Sequence, residues 1–172
     1  MRRSATLVAC PGDGAPRRPG GTLRDGERRQ LAHASRRAAQ VPRPGPRPAN
    51  THRVLCDGGS RGNPGPAAVA AVLLAPAGEE LEARARPIGR ATTAQAEYEA
   101  ILLGLEIAIA HGIAAVEVCS DSRLAVEAIE RGNGEPAAAV RAAAARFARV
   151  TWRWHPRAEN EAADALVRAL LW

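Results

Sequence analysis

Asp57-Gly58-Gly59-Ser60-Arg61-Gly62-Asn63-Pro64-Gly65-Pro66 stands between two apolar runs, 54–56 and 67–75. An acid after a short apolar run, followed by Gly and Pro, reads as a strand end, a tight turn and a second strand. Gly58, Gly59 and Gly62 let the backbone pass close to a neighbour that a Cβ would exclude. An acid in that place serves packing poorly. It suits a cation, with bare turn amides beside it for a polar partner.

Outward from this turn, the chain divides by charge. Its 172 residues suggest one domain, and the overall balance is +6 with no Lys at all. Residues 1–53 hold 12 Arg against Asp13, Asp25 and Glu27, a local +9, whereas 54–172 hold 12 Arg against 15 acids, a local −3. Residues 1–52, with Arg43-Pro44-Gly45-Pro46-Arg47-Pro48 near their end, read as a disordered basic Arg/Pro-rich extension. If the domain binds nucleic acid, such an arm adds salt-dependent affinity. Residues 53–172 carry the Ala, Val, Leu and Ile of one modest core. Cys10, Cys56 and Cys119 have neither pairing nor metal spacing, and Cys56 and Cys119 lie in apolar runs, as reduced core thiols of a cytoplasmic protein would. No run nears the ~18 apolar residues of a membrane span, and the six residues between Arg3 and Cys10 are too few for a lipoprotein signal core.

Periodicity then orders the rest. Strands are expected over 53–57, 67–74 and, alternating polar and apolar, 80–86. Thr92 or Thr93 caps a helix that runs to about His111 and stops at Gly112. A fourth strand spans 115–120, helices span 122–131 and 136–148, a fifth strand spans 150–155 with Trp152 and Trp154 on one face, and a last helix spans 160–171. The order β-β-β-α-β-α-α-β-α predicts an α/β fold: a mixed five-stranded sheet, three antiparallel strands then parallel ones, with helices on both faces.

Four acids fall at strand ends or helix starts: Asp57, Glu97, Asp121 and Asp164. That edge of such a sheet is where ligands bind. Carboxylates suit Mg²⁺, and two such ions ~4 Å apart clamp the attacking and leaving oxygens of a phosphodiester. Each acid alone has a plainer role. Glu97 would favour a helix dipole, Asp121 would cap the next helix, and Asp164 would be an exposed helix acid. Asp57, before so specific a turn, resists such an account.

With these residues in view, 53–171 resembles ribonuclease H type I and its reverse-transcriptase-associated relatives. Asp57 to Ala68 resembles the family's most specific segment, and Ala96-Glu97-Tyr98-Glu99-Ala100-Ile101-Leu102 its AEYxAL helix. Ser120-Asp121-Ser122 resembles its strand end, and Pro156-Arg157-Ala158-Glu159-Asn160-Glu161-Ala162-Ala163-Asp164 its PRxxNxxAD segment. The chain departs where members commonly carry an Asn pair, having Thr93 and Ala94 there. It also has a compact Trp154-His155-Pro156 in place of a His-bearing loop, and no basic helix-loop insertion between Asp121 and Val150.

The resemblance implies a ribonuclease H-like fold and an endonuclease that hydrolyses the RNA strand of RNA/DNA hybrids, leaving 5′-phosphate and 3′-hydroxyl ends. It implies that Asp57, Glu97, Asp121 and Asp164 are both catalytic and metal-holding, with two Mg²⁺ or Mn²⁺ ions. It implies substrate contacts at Gly58, Gly59, Ser60, Arg61, Asn63 and Thr92. His155 is an auxiliary candidate, with a plain strand-end role as its alternative. Two other functions share the scaffold: a nucleic-acid binding module that does not cleave, and a related nuclease acting on DNA. A cytoplasmic monomer with a nucleic-acid partner and no membrane contact is expected.

Overall fold

The computed structural model describes residues 50–172. The basic extension expected over 1–52 therefore lies, through residue 49, outside the described residues. Strand β1 (His52–Ser60) begins one residue earlier than expected and runs three residues past Asp57. It pairs antiparallel with β2 (Gly65–Leu74) and parallel with β4 (Ala115–Ser120). β3 (Glu80–Ala91) lies outside β2, and β5 (Arg149–Trp154) outside β4, so the order across the sheet is β3-β2-β1-β4-β5. The mixed sheet and its three-plus-two division are as the sequence predicts.

β3 is the element whose extent differs most. The strand expected over 80–86 runs on through Pro87, which an edge strand tolerates. A bulge sets Ala67 opposite Gly89 and Ala68 opposite Pro87, leaving Ile88 as the extra residue, and the strand continues to Ala91. Residues 67–73 of β2 are buried on both faces, as expected of their unbroken apolar run.

Helix α1 (Thr93–Ala110) starts at an N-cap Thr92, whose side chain accepts from Gln95 N–H while the Gln95 side chain accepts from Thr92 N–H. It ends before Gly112, whose φ of +67° suits a residue without Cβ. Helix α2 (Arg123–Arg131) is capped by Ser122 and closed by Gly132 in the left-handed region. Helix α3 spans Glu135–Ala144, four residues short of its expected end. The backbone N–H groups of Ala148 and Arg149 both donate to Ala114 O, so the chain has already turned towards β5. Helix α4 (Glu161–Leu171) follows a single 3₁₀ turn at Arg157–Glu159.

The helices divide between the faces. α1, α2 and α3 cover one, where Val54, Cys56, Val116 and Val118 meet Ile101, Leu105, Ile129 and Val140. α4 covers the other, where Leu55, Ala70, Val72 and Cys119 meet Ala163, Val167 and Leu171. Cys56 and Cys119 are free, buried thiols on opposite faces. Gly104 is the contact that seats α1 on β1: a Cβ there would fall 2.4 Å from Val54 Cγ1 and 2.8 Å from Cys56 Sγ.

Candidate active site

The parallel ladder between β1 and β4 ends at the pair Cys56/Ser120. Asp57 and Asp121 are the next residue of each chain segment, so both stand just past that ladder. Asp57 is not at a strand end, as the sequence suggests, because β1 continues with β2 alone as partner. Glu97 enters from the first turns of α1 and Asp164 from the first turn of α4. Asp57, Glu97 and Asp164 are buried, and Asp121 is partly so. Together they line a cleft of about 200 Å³ with Gly58, Gly59, Ser60, Thr93, Arg157 and Arg168.

Carboxylate oxygens of Asp57, Glu97 and Asp121 all lie within 4.8 Å of one another. Asp164 faces the same cleft but is held by two guanidinium groups: Arg157 donates to its Oδ1, and Arg168 Nε lies 2.9 Å from its Oδ2. Ser120 Oγ donates to Glu97 Oε2 at 3.4 Å. Asp121 Oδ1 is buried with no hydrogen-bond partner among the described residues. Burial and the neighbouring carboxylates Asp121 and Asp164 push Asp57 up to about 6. Burial, with Asp121 and Asp57 beside it, pushes Glu97 up to about 9. Asp121 is raised as well, chiefly by burial, while Arg157 pulls it back. Three crowded, desolvated carboxyl groups, one oxygen without a donor, form the hard-oxygen set that a divalent cation satisfies. The residues present fit such an ion.

The expected substrate contacts sort differently. Gly58, Gly59 and Ser60 line the cleft, but the glycines answer first to the protein's own packing. A Cβ on Gly58 would fall 2.2 Å from the Ala96 carbonyl carbon and oxygen, and one on Gly59 3.1 Å from Val167 Cγ1. Asn63 Oδ1 accepts from Thr93 N–H at 3.1 Å, and Ser60 Oγ lies 3.0 Å from Thr93 Oγ1, so both tie the turn to the start of α1. Thr92 spends its hydroxyl on the helix cap, and it is Thr93 that reaches the cleft. Arg61 is exposed on the turn. His155 is buried on the α4 side, its backbone N–H donating to Ser120 O at 2.9 Å, and it does not line the cleft.

Several residues escaped the sequence. Arg157, Arg168 and Trp172 line the cleft, and Trp172 is 76% exposed there. Asn160 is fully buried and donates from Nδ2 to Cys56 O at 2.8 Å, binding the start of α4 to the residue before Asp57. Trp154 donates its indole N–H to Asp121 O at 3.0 Å. Only the PRxxNxxAD pattern signalled any of these, through Arg157 and Asn160.

This sheet order, with acids gathered where β1 and β4 part, defines a ribonuclease H-like domain. The sequence profile of the Reverse transcriptase-like family matches residues 55–170, and the chain belongs to that family, among its ribonucleases H. It is 39% identical over 122 residues to the Bifunctional protein Rv2228c of Mycobacterium tuberculosis, covering 66% of this chain and 33% of that protein. The chain thus spans about a third of that relative's length. The crystal structure of RNase H1 from the halophilic archaeon Halobacterium salinarum superposes with a TM-score of 0.66 at 35% identity, over 69% of this chain and 95% of that one. LC11-RNase H1, solved in complex with an RNA/DNA hybrid, superposes with a TM-score of 0.64 at 29% identity, over 69% of this chain and 95% of that one.

Proposed function

We propose that the protein is a metal-dependent endonuclease that hydrolyses the RNA strand of RNA/DNA hybrids, leaving 5′-phosphate and 3′-hydroxyl ends. One observation carries this most: Asp57, Glu97 and Asp121 bring their oxygens within 4.8 Å of one another, with Asp164 in the same cleft. These four would hold two Mg²⁺ or Mn²⁺ ions. When bound, such ions supply Lewis acidity and a water acidic enough to attack a phosphodiester in line.

The protein's own groups do the rest. Glu97, pushed up to about 9, holds its proton at neutral pH until a cation enters, so loading the site releases a proton. Asp57, near 6, is mostly ionised at pH 7 and offers charge at once. Arg157 and Arg168, exposed at the cleft rim, present guanidinium groups to the phosphates of an entering strand. The Ser60 and Thr93 hydroxyls stand beside the acids, where a 2′-hydroxyl, the group that separates RNA from DNA, needs a partner. The Arg-rich stretch 1–52 adds salt-dependent affinity for the duplex backbone.

The test is cleavage of an end-labelled RNA strand that is single, paired to RNA or paired to DNA, and of an all-DNA duplex, with Mg²⁺, Mn²⁺ or EDTA, and hybrid binding is read by gel shift. Asp121→Asn, with its fold checked by thermal unfolding, runs alongside. Cleavage only in the hybrid, only with metal and only by the wild type is expected. Hybrid binding without product, or cutting of an all-DNA duplex, would replace the proposal with a binding module or a DNA nuclease. Retained cleavage by Asp121→Asn would remove the assigned acids.

A further inference from the structure

On the face of the sheet under α4, away from the carboxylate cleft, β4 and β5 bury a second set of ligand-bearing side chains. Glu117 is 3% exposed, Cys119 0% and His155 7%, and a ligand atom from each lies within 4.8 Å of the other two. Cys119 Sγ approaches Glu117 Oε2 at 3.9 Å, while the other oxygen, Oε1, accepts from Arg153 Nε at 2.8 Å. His155 Nδ1 is buried with no hydrogen-bond partner among the described residues, and the Glu159 carboxylate stands 3.7 Å from it. A buried imidazole nitrogen without a partner is costly, and hydrophobic packing alone would not select Glu, Cys and His on three neighbouring positions.

We propose that Glu117, Cys119 and His155 form a second metal site, for a borderline-soft divalent cation of the Zn²⁺ class. Thiolate, imidazole and carboxylate together are Zn²⁺ donors, whereas the all-oxygen cleft suits Mg²⁺. Zn–S bonds of about 2.3 Å and Zn–N or Zn–O bonds of about 2.0 Å put tetrahedral ligand atoms roughly 3.3–3.7 Å apart, close to the 3.9 Å between Cys119 Sγ and Glu117 Oε2 and inside the 4.8 Å that bounds the set. The outer contact has the form such sites use. The ligating carboxylate keeps its second oxygen on Arg153. On binding, the Cys119 thiol gives up its proton, a sulfur–metal bond forms and the proton passes to solvent. Burial and the Glu117 carboxylate push the Cys119 thiol up to about 12, while Arg53 and Arg153 pull it back, so a bound metal has to displace a firmly held proton. The site borders the cleft through the backbone alone: Cys119 is two residues before Asp121, and His155 N–H donates to Ser120 O. The proposal does not depend on the activity proposed above.

The test uses the full chain carrying Cys10→Ser, with the carboxylate cleft saturated with Mg²⁺ and Co²⁺ titrated as the probe. One equivalent of Co²⁺ is expected to give a sulfur-to-cobalt charge-transfer band in the near ultraviolet. The band should vanish in Cys119→Ala, and His155→Ala should weaken Co²⁺ binding by at least about tenfold. Zn²⁺ X-ray absorption on the chain with Glu117, Cys119 and His155 intact should show one sulfur near ~2.3 Å, and it stands even if Cys119→Ala fails to fold. No charge-transfer band, a band that survives in Cys119→Ala, binding unchanged in His155→Ala or a zinc shell without sulfur would each overturn the site.

Discussion

Gly58→Ala should damage this protein out of proportion to one methyl group. The added Cβ falls 2.2 Å from the carbonyl carbon and oxygen of Ala96 and 2.6 Å from the amide nitrogen of Glu97. Non-bonded heavy atoms rest at about 3.5 Å, so β1 and the start of α1 must part by roughly 1.3 Å. Both walls are backbone, and no side chain can swing aside. Overpacking of this kind costs about 1–3 kcal/mol, and rigid walls put it near ~3 kcal/mol, a fall in Tm on the order of 10 °C. Glu97 rides on the displaced turn, and a misplacement of about 1 Å at a catalytic group costs on the order of 10²-fold in rate. Thermal unfolding and initial rates of hybrid cleavage, taken well below Tm, read the two effects separately. Gly59→Ala is the control. Its Cβ meets only the side-chain ends Val167 Cγ1 at 3.1 Å and Leu171 Cδ1 at 3.6 Å, and the cost should stay under about 1 kcal/mol. Wild-type stability and turnover in Gly58→Ala would refute the claim that backbone contact sets the position of Glu97.

Two further substitutions probe the electrostatics. Asp57 has a folded pKa near 6, raised from 3.8, so its ionisation opposes folding. In EDTA that stability is present below about pH 4 and lost as pH rises through 6, a total of about 3 kcal/mol from a shift of roughly two units. Asp57→Asn should therefore unfold at a higher temperature than the wild type at pH 8 in EDTA while losing cleavage; equal or lower stability there would contradict the crowding of the acids. Arg157 lowers the pKa values of Asp57, Glu97 and Asp121. Arg157→Ala should move the acid limb of the pH–rate profile to higher pH, and an unmoved limb would show that its charge does not reach them.

The fold was legible because its punctuation is strong. Gly112, Gly132 and the Pro64 turn mark element ends, and the fully apolar 67–73 announces a central strand. The four acids were legible because each sits locally near an apparent strand end or helix start, although Asp57 in fact lies within β1. What stayed hidden depends on neighbours distant in sequence. Nothing local says that Gly58 is small for the sake of Ala96, that Asn63 serves Thr93, or that Asn160 reaches across 104 positions to Cys56 O. The alternation that marks 80–86 stops there, so it did not show that β3 runs on through Pro87 to Ala91 at the sheet edge. Glu117 and Cys119 share a face of β4, but His155 follows β5, 36 positions after Cys119, so nothing local joined the three.

Acids that repel one another cannot be what holds a site together. Without a cation, Asp57, Glu97 and Asp121 are pushed up by burial and by neighbouring carboxylates, so the geometry must be imposed from outside the cluster. The contacts that impose it involve backbone or neutral groups. Gly58 lies against Ala96 and fixes β1 to α1, and Asn160 on Cys56 O fixes α4 to β1. Ser120 holds Glu97, and Trp154 holds the carbonyl of Asp121. Apart from the Ser120 bond to the Glu97 carboxylate, none of these involves a titrating group, so the frame persists whether or not the acids are ionised. Arg157 and Arg168 differ, because they meet Asp164 through charge from exposed positions at the rim. Screening makes such contacts weak, and a divalent cation or a phosphate can compete for either partner. A rigid neutral frame with exchangeable charged contacts at its mouth is preorganised for a cation without being held shut against one.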